Sequence, residues 1–436
     1  MNTKRENQDQ AWVVTVDMGY GHQRTAYPLK FLAPEGKLIN ANCYPGISKK
    51  DRWIWESIRI FYEFISNFKN IPFVGEMAFS FFDSLHKITS FYPKRDLSRP
   101  NLELKFLFFL MKIGWGKHLI DKMGGRPIIS TFFMPAFMAE YFNYPAEIFI
   151  VICDADIARS WVSIDPASSK IKYLVPTSRA VERLRLYGVK QKNIYLTGYP
   201  LPLENIGSEN MEILKNDLGR RLLNLDPKGV YFKEYETLVK KYLGKLPERS
   251  VRPLTLLFSV GGAGAQKDIA VKVLKSLSQK IKNQEIKMIL SAGTREKSKE
   301  YFEKYIKDLG LNDCLGKSIE IIFAENTDGY FEAFNRALRT TDILWTKPSE
   351  LSFYSALGLP IIMAPPVGSQ EDCNKKWLLR LGSGIPQGDP KYADLWLFDL
   401  LNSGWFAEAA MQGFIEGEKF GTFKIKDIIK TGSDEK

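Results

Sequence analysis

The chain has 436 residues, more than one ordinary core accommodates and enough for two domains. Hydrophobic residues make up 45% and charged residues 25%, which argues against a disordered chain; the four scattered cysteines form no Cys-x-x-Cys pair, which argues against a disulfide framework or structural zinc and fits a reducing compartment. The net charge of +11 is uneven: residues 1–205 carry 27 Lys and Arg against 19 Asp and Glu, residues 206–436 carry 34 against 31. A surplus this mild, with no recognition motif, ranks nucleic acid last among the anionic partners, behind an acidic ligand and an anionic membrane surface.

The N-terminus, "MNTKRENQDQ", is polar, so no signal peptide is expected there, and no run of about 18 apolar residues predicts a membrane span. A first strand, "AWVVTVD" (11–17), leads into a turn holding Gly19, Tyr20 and Gly21, followed by His22. Such a turn between a parallel strand and a helix offers backbone N–H groups at a positive helix end, which suits phosphate or a closely approaching acceptor. The third glycine of a dinucleotide fingerprint is replaced by Arg24, and no P-loop pattern occurs. From Trp53 to Trp115, 16 of 63 residues are aromatic. This helical insertion (53–120) reads either as a buried helix pair or as an aromatic, basic-flanked surface for a bilayer or lipid chain.

Strands are then expected at 127–131, 148–154, 173–178 and 194–198. Residues 206–250 read as a charged helical connector ending in the linker "GKLPERSVRP". The pattern restarts with "LTLLFSVGGAGAQKDIAVKVLKSL", a strand, a turn with Gly261, Gly262 and Gly264, and a helix. Further strands are expected at 287–293, 319–325, 342–348 and 360–366. Near-continuous Val/Ile/Leu runs suit parallel strands buried on both faces. The expected fold is α/β: two Rossmann-like domains, 1–205 and 251–400, with parallel sheets facing a cleft that holds the ligand, and residues 401–436 as helices packing back toward the first domain.

The motifs resemble those of lipid-directed glycosyltransferases with the glycosyltransferase B fold. That family includes monogalactosyldiacylglycerol synthase, processive diacylglycerol glucosyltransferases and the N-acetylglucosaminyltransferase that forms lipid II. "DMGYGHQRTA" resembles their Asp-x-Gly-Gly-Gly-His opening, and "IVICDADIARSW" resembles a cleft strand ending in Asp with a following Trp. "YLVPTSRAVERLRLYGVKQKNIYLTGYPL", "LLFSVGGAGAQ" and "DILWTKPSELSFYSALGLPIIMAPPVGSQEDCN" follow the family's later motifs in order. The resemblance covers roughly 11–205 and 254–380. Four positions depart from it: Tyr20 stands for the second glycine, Ser349 and Glu350 for a Gly-Gly pair, and Phe353 for the glutamate that holds the donor ribose.

The resemblance implies an inverting, metal-independent transfer from a nucleotide diphosphate sugar, UDP-linked, to a lipid-like acceptor, with no cofactor. It places the protein in the cytoplasm, on the inner face of the membrane. The acceptor hydroxyl must lose a proton, and a neutral imidazole takes one near pH 7. His22 is the candidate base; Asp17 orients it or is the base itself, and Asp154 is the second alternative. Asp156 completes a D-x-D, read as a helix cap rather than a metal motif. The leaving diphosphate needs donors, for which Gly261, Gly262, Gly264, Lys347 and Ser349 are candidates. Glu350 is placed to take the ribose hydroxyls; Gln370, Glu371 and Asn374 match the family's sugar-binding "QE..N". Two other classes stay open: a nucleotide-sugar 2-epimerase, and a non-catalytic membrane module that has lost donor binding. Oligomeric state is not legible.

Overall fold

A computed structural model of the protein describes residues 10–68, 88–93, 96–246, 252–259 and 266–434. The chain divides into two compact units: Met1–Pro200, Val367–Cys373 and Phe420–Lys436 in one, Leu201–Pro366 and Asn374–Lys419 in the other. Each unit holds one six-stranded sheet, and every strand pair is parallel.

The first sheet comprises β1 (Trp12–Thr15), β2 (Ile39–Asn40), β3 (Ile128–Ser130), β4 (Ile148–Val151), β5 (Lys172–Val175) and β6 (Ile194–Leu196), in the order β2-β1-β3-β4-β5-β6. The second comprises β7 (Leu254–Ser259), β8 (Ile286–Gly293), β9 (Ile319–Phe323), β10 (Ile343–Thr346), β11 (Ile361–Met363) and β12 (Gly384–Pro386), in the order β12-β11-β10-β7-β8-β9. Counted within its own unit, this is the 3-2-1-4-5-6 order of the dinucleotide-binding fold. The strand order reverses between β1 and β3 in the first sheet and between β7 and β10 in the second. Ligands of open α/β sheets bind outside the carboxyl ends of the strands at such points.

The α/β class and the two parallel sheets agree with the sequence expectation, and each strand expected from an apolar run forms. β4 and β7 are buried at every position, which is why they read as near-continuous apolar runs. The two short edge strands, β2 and β12, were not expected: two or three residues carry no periodic signal.

In the first unit, Val13, Ile129, Phe149, Val151 and Leu174 from the sheet pack with Ala26, Leu29 and Leu32. Ile425 and Ile429, one turn apart on the helix Gly421–Asp434, complete that core. Burying each contributes about 1.5–3 kcal/mol. The helix starts where only glycine fits: a Cβ on Gly421 would lie 2.2 Å from the Tyr199 carbonyl oxygen. Of the expected C-terminal segment, Trp405–Glu416 lies in the second unit and Gly421–Asp434 in the first.

The helices Glu212–Leu225 and Val230–Leu243, expected as a connector, belong to the second unit. Leu214, Leu218, Leu222 and Leu225 form the buried face of the first. Beside them the fully buried Arg221 donates to the carbonyls of Thr341 (2.7 Å), Leu357 (2.7 Å), Gly358 (3.1 Å) and Leu338 (3.2 Å). Leu338 and Leu357 are the last residues of the helices Thr327–Leu338 and Glu350–Leu357, where carbonyls lack a partner within the helix. Burial pushes the guanidinium down to about 10.

Candidate functional site

In the first unit the predicted residues gather where the strand order reverses. β1 ends at Thr15 and the chain turns through Asp17 and Gly19 into the helix Tyr20–Ala26. The Asn42 amide clamps the turn: its Nδ2 donates to the Asp17 carbonyl (3.1 Å), and the Asp17 N–H donates to its Oδ1 (2.9 Å). Gly19 takes φ of 110°, which a side chain disfavours, although nothing crowds the space a Cβ would fill. Tyr20 and Gly21 are already helical, so Gly19 is the one glycine of the motif that the turn conformation requires.

His22 is half-buried on that short helix. Its Nδ1 lies 2.9 Å from the carbonyl oxygen of Thr131, the residue after β3. A carbonyl only accepts, so a neutral ring carries its proton on Nδ1 and its lone pair on Nε2. The ring stands against Phe132 (centroids 4.6 Å apart) and Trp161 (5.9 Å). The hydrogen bond that orients the imidazole therefore comes from main chain and not from Asp17, whose side chain is exposed. Cys153, buried after the end of β4, places its Sγ 3.6 Å from His22 Nδ1 and 3.8 Å from Asp154 Oδ2. Two of the three candidate bases, His22 and Asp154, thus meet across one thiol.

Asp156 is neither a helix cap nor placed to ligate a metal. Its carboxylate receives the fork of the buried Arg183 (Nε and Nη2, both 2.8 Å) and also its neighbour's Ile157 N–H (2.9 Å). Arg183 also donates to the Thr89 carbonyl (2.7 Å) and covers the Phe91 ring (4.1 Å). The helix Ser178–Leu186 is capped instead by Thr177, whose side chain accepts from the Ala180 N–H.

The aromatic insertion exposes one face. On the helix Leu102–Lys112 and its C-cap, Leu104, Leu107 and Met111 are buried, while Leu102, Phe106, Phe109 and Ile113 are 46–69% exposed. These four follow one helical stripe, with Lys105 and Lys112 beside them. On the helix Lys49–Phe68, Ile54 and Trp55 are buried, Trp55 against Trp115 (4.9 Å), whereas Trp53 and Ile60 are exposed. Lys50 donates to the Ile113 carbonyl, joining the two helices. Part of the insertion, including His86, lies outside the described residues.

In the second unit the reversal lies between β7 and β10, whose last residues, Ser259 and Thr346, pair directly. Lys347 follows Thr346 and is half-buried. The Ser349 N–H donates to the Lys347 carbonyl (2.8 Å), and Glu350, 8% exposed, opens the buried 3₁₀ segment Glu350–Leu357. Gly261, Gly262 and Gly264 lie outside the described residues, which stop at Ser259 and resume at Gln266. Phe353 is buried against Trp377 (4.9 Å). Gln370 and Glu371, which belong to the first unit, open the helix Ser369–Leu381, and Glu371 accepts from the Val367 N–H (2.8 Å); Asn374, in the second unit, is fully buried.

The sequence did not reveal Thr131, Phe132 or Cys153 as neighbours of His22. Only Trp161 and Asp154, inside the quoted strand motif, carried a signal.

The architecture is thus that of a two-unit Rossmann-like protein with its candidate residues at both switch points. A family model described as a domain of unknown function (DUF6938) matches residues 246–386, a stretch that spans all six strands of the second sheet. No curated protein matches the chain. Among solved structures, the chain is similar to MurG of Acinetobacter baumannii (13% identity, 97% of this chain and 99% of that one, TM-score 0.45). It is also similar to a glycosyltransferase of Rickettsia africae (13%, 98% and 100%, 0.41) and to the UDP-GlcNAc 2-epimerase of Neisseria meningitidis bound to UDP-GlcNAc (10%, 83% and 88%, 0.42).

Proposed function

We propose that the protein is a glycosyltransferase of the B-fold kind that moves a sugar from a UDP-linked donor to a lipid-like acceptor at the inner membrane surface. The observation that supports it most is His22: an imidazole at the carboxyl-end switch point, held by a carbonyl so that Nε2 accepts a proton. In this reading the acceptor oxygen forms its bond to the anomeric carbon as the bond to the diphosphate breaks, with inversion. The hydroxyl proton passes to His22 Nε2.

Negative charge then grows on the leaving diphosphate. Lys347, Ser349 and the backbone N–H groups of Gly261, Gly262 and Gly264 are the donors assigned to it. Glu350 takes the ribose hydroxyls. Glu371 is engaged by the Val367 amide and Asn374 is fully buried, so contact with the sugar falls first to Gln370. The scheme includes no metal or other cofactor, and the Asp156 carboxylate is paired with Arg183.

The stripe of Leu102, Phe106, Phe109 and Ile113, with Trp53 and adjacent lysines, is assigned to an anionic bilayer. No helix among the described residues is long and apolar enough to cross a membrane, so this contact is peripheral in our reading. Phe353 favours one second reading, a non-catalytic membrane module: a buried aromatic stands where the resemblance expects a ribose-binding carboxylate. The test is transfer of labelled sugar from a panel of UDP-sugars into an organic-soluble product in the presence of a lipid extract. Product formation supports the enzyme. Vesicle binding with no product from any donor supports the module.

A further inference from the structure

We infer that Cys153 is a positioning residue that couples the Asp154 carboxylate to the His22 imidazole. This deepens the reading of His22 as the base and rests on it. The thiol is 4% exposed and sits between the two groups, 3.6 Å from His22 Nδ1 and 3.8 Å from Asp154 Oδ2. Both distances lie within the range of hydrogen bonds to sulfur. Because Thr131 offers only a carbonyl, the ring proton is on Nδ1. That proton also faces the sulfur lone pairs, which leaves the S–H to donate to Asp154. The chain runs in one direction: Nδ1–H toward sulfur, S–H toward carboxylate.

Two consequences follow from this direction. When Nε2 takes a proton, the positive charge on the ring is stabilised by a carboxylate through one polarisable atom. A thiol is also a weak donor and acceptor, so it does not compete with Thr131 for the ring. A serine hydroxyl at 153 would compete, since it donates strongly and would favour the tautomer with the proton on Nε2, which leaves no lone pair on Nε2 to take the acceptor's proton. The charged residues nearest His22 along the chain are Asp17, in the turn after β1, and Arg24, on the helix that carries His22. Neither changes in the comparison below.

The experiment uses the full chain labelled with ¹⁵N-histidine. Ring nitrogen spectra are recorded across a pH titration, with His22 assigned by its loss in His22→Gln. The wild type should show the Nδ1–H tautomer. Asp154→Asn should lower the His22 midpoint by about half a pH unit, and by less than half as much when Cys153 is alanine. Cys153→Ser should populate the Nε2–H tautomer. An equal Asp154→Asn shift in both backgrounds, or an Nε2–H ring in the wild type, overturns the proposal. Far-UV circular dichroism checks each variant's fold. If Cys153→Ala does not fold, the serine variant decides: an unchanged Nδ1–H tautomer overturns the proposal. No donor enters this measurement, so a protein that binds no nucleotide sugar yet shows the coupling would sink the transferase reading alone.

Discussion

The Nδ1 of His22 lies 2.9 Å from the carbonyl oxygen of Thr131, a residue 109 positions away in the chain. A main-chain acceptor cannot be removed by substitution, so the ring orientation is built into the end of β3. His22→Ala is therefore expected to lower the transfer rate by about 10²–10⁴-fold while leaving nucleotide affinity unchanged. Rate and affinity measured on the same preparation check this. A matching loss of both would place His22 in ligand binding and not in proton transfer.

Asp156 and Arg183 form a buried, forked pair, both nearly inaccessible to solvent. Removing one partner leaves the other's charge buried. Asp156→Ala and Arg183→Met are each expected to cost about 3–5 kcal/mol in urea denaturation. Wild-type stability in both variants would show that the pair does not hold the fold.

The sequence made much of this fold legible. Near-continuous apolar runs such as β4 and β7 announce strands buried on both faces. β2 and β12 were silent because edge strands of two or three residues have no period to read. His22 stood out by its glycine context, yet its partners did not. Thr131 and Cys153 join it through sheet pairing across more than a hundred residues, and no local pattern encodes that. The "DAD" at 154–156 was ambiguous for the same reason, since Arg183 lies 27 residues on. Aromatic content marked the 53–120 insertion, but only burial distinguishes Leu104 and Leu107 from Phe106 and Phe109.

The exposed stripe predicts a separable defect. Phe106→Glu with Phe109→Glu should weaken binding to anionic vesicles by about tenfold or more, with no loss of stability, because both side chains already face water. Binding should also fall as salt rises. Vesicle sedimentation measures this, and loss of thermal stability in the double variant would show that the stripe packs against protein.

Ile425 and Ile429 place the last helix in the core of the first unit. Ile425→Ala is expected to cost about 2–5 kcal/mol, as a large-to-small change in a packed interior does. A change within a few tenths, read from the urea midpoint, would mean the helix is not docked there.

In the proposed function the second switch point, with Lys347 and Glu350, binds a nucleotide diphosphate sugar. Isothermal titration of the purified protein with UDP, GDP, ADP, CDP and their sugars is the direct test. Saturable binding with a preference for UDP is expected, and Lys347→Ala and Glu350→Ala should each abolish it. A folded protein that binds none of these ligands, or binds them equally well in both variants, contradicts it.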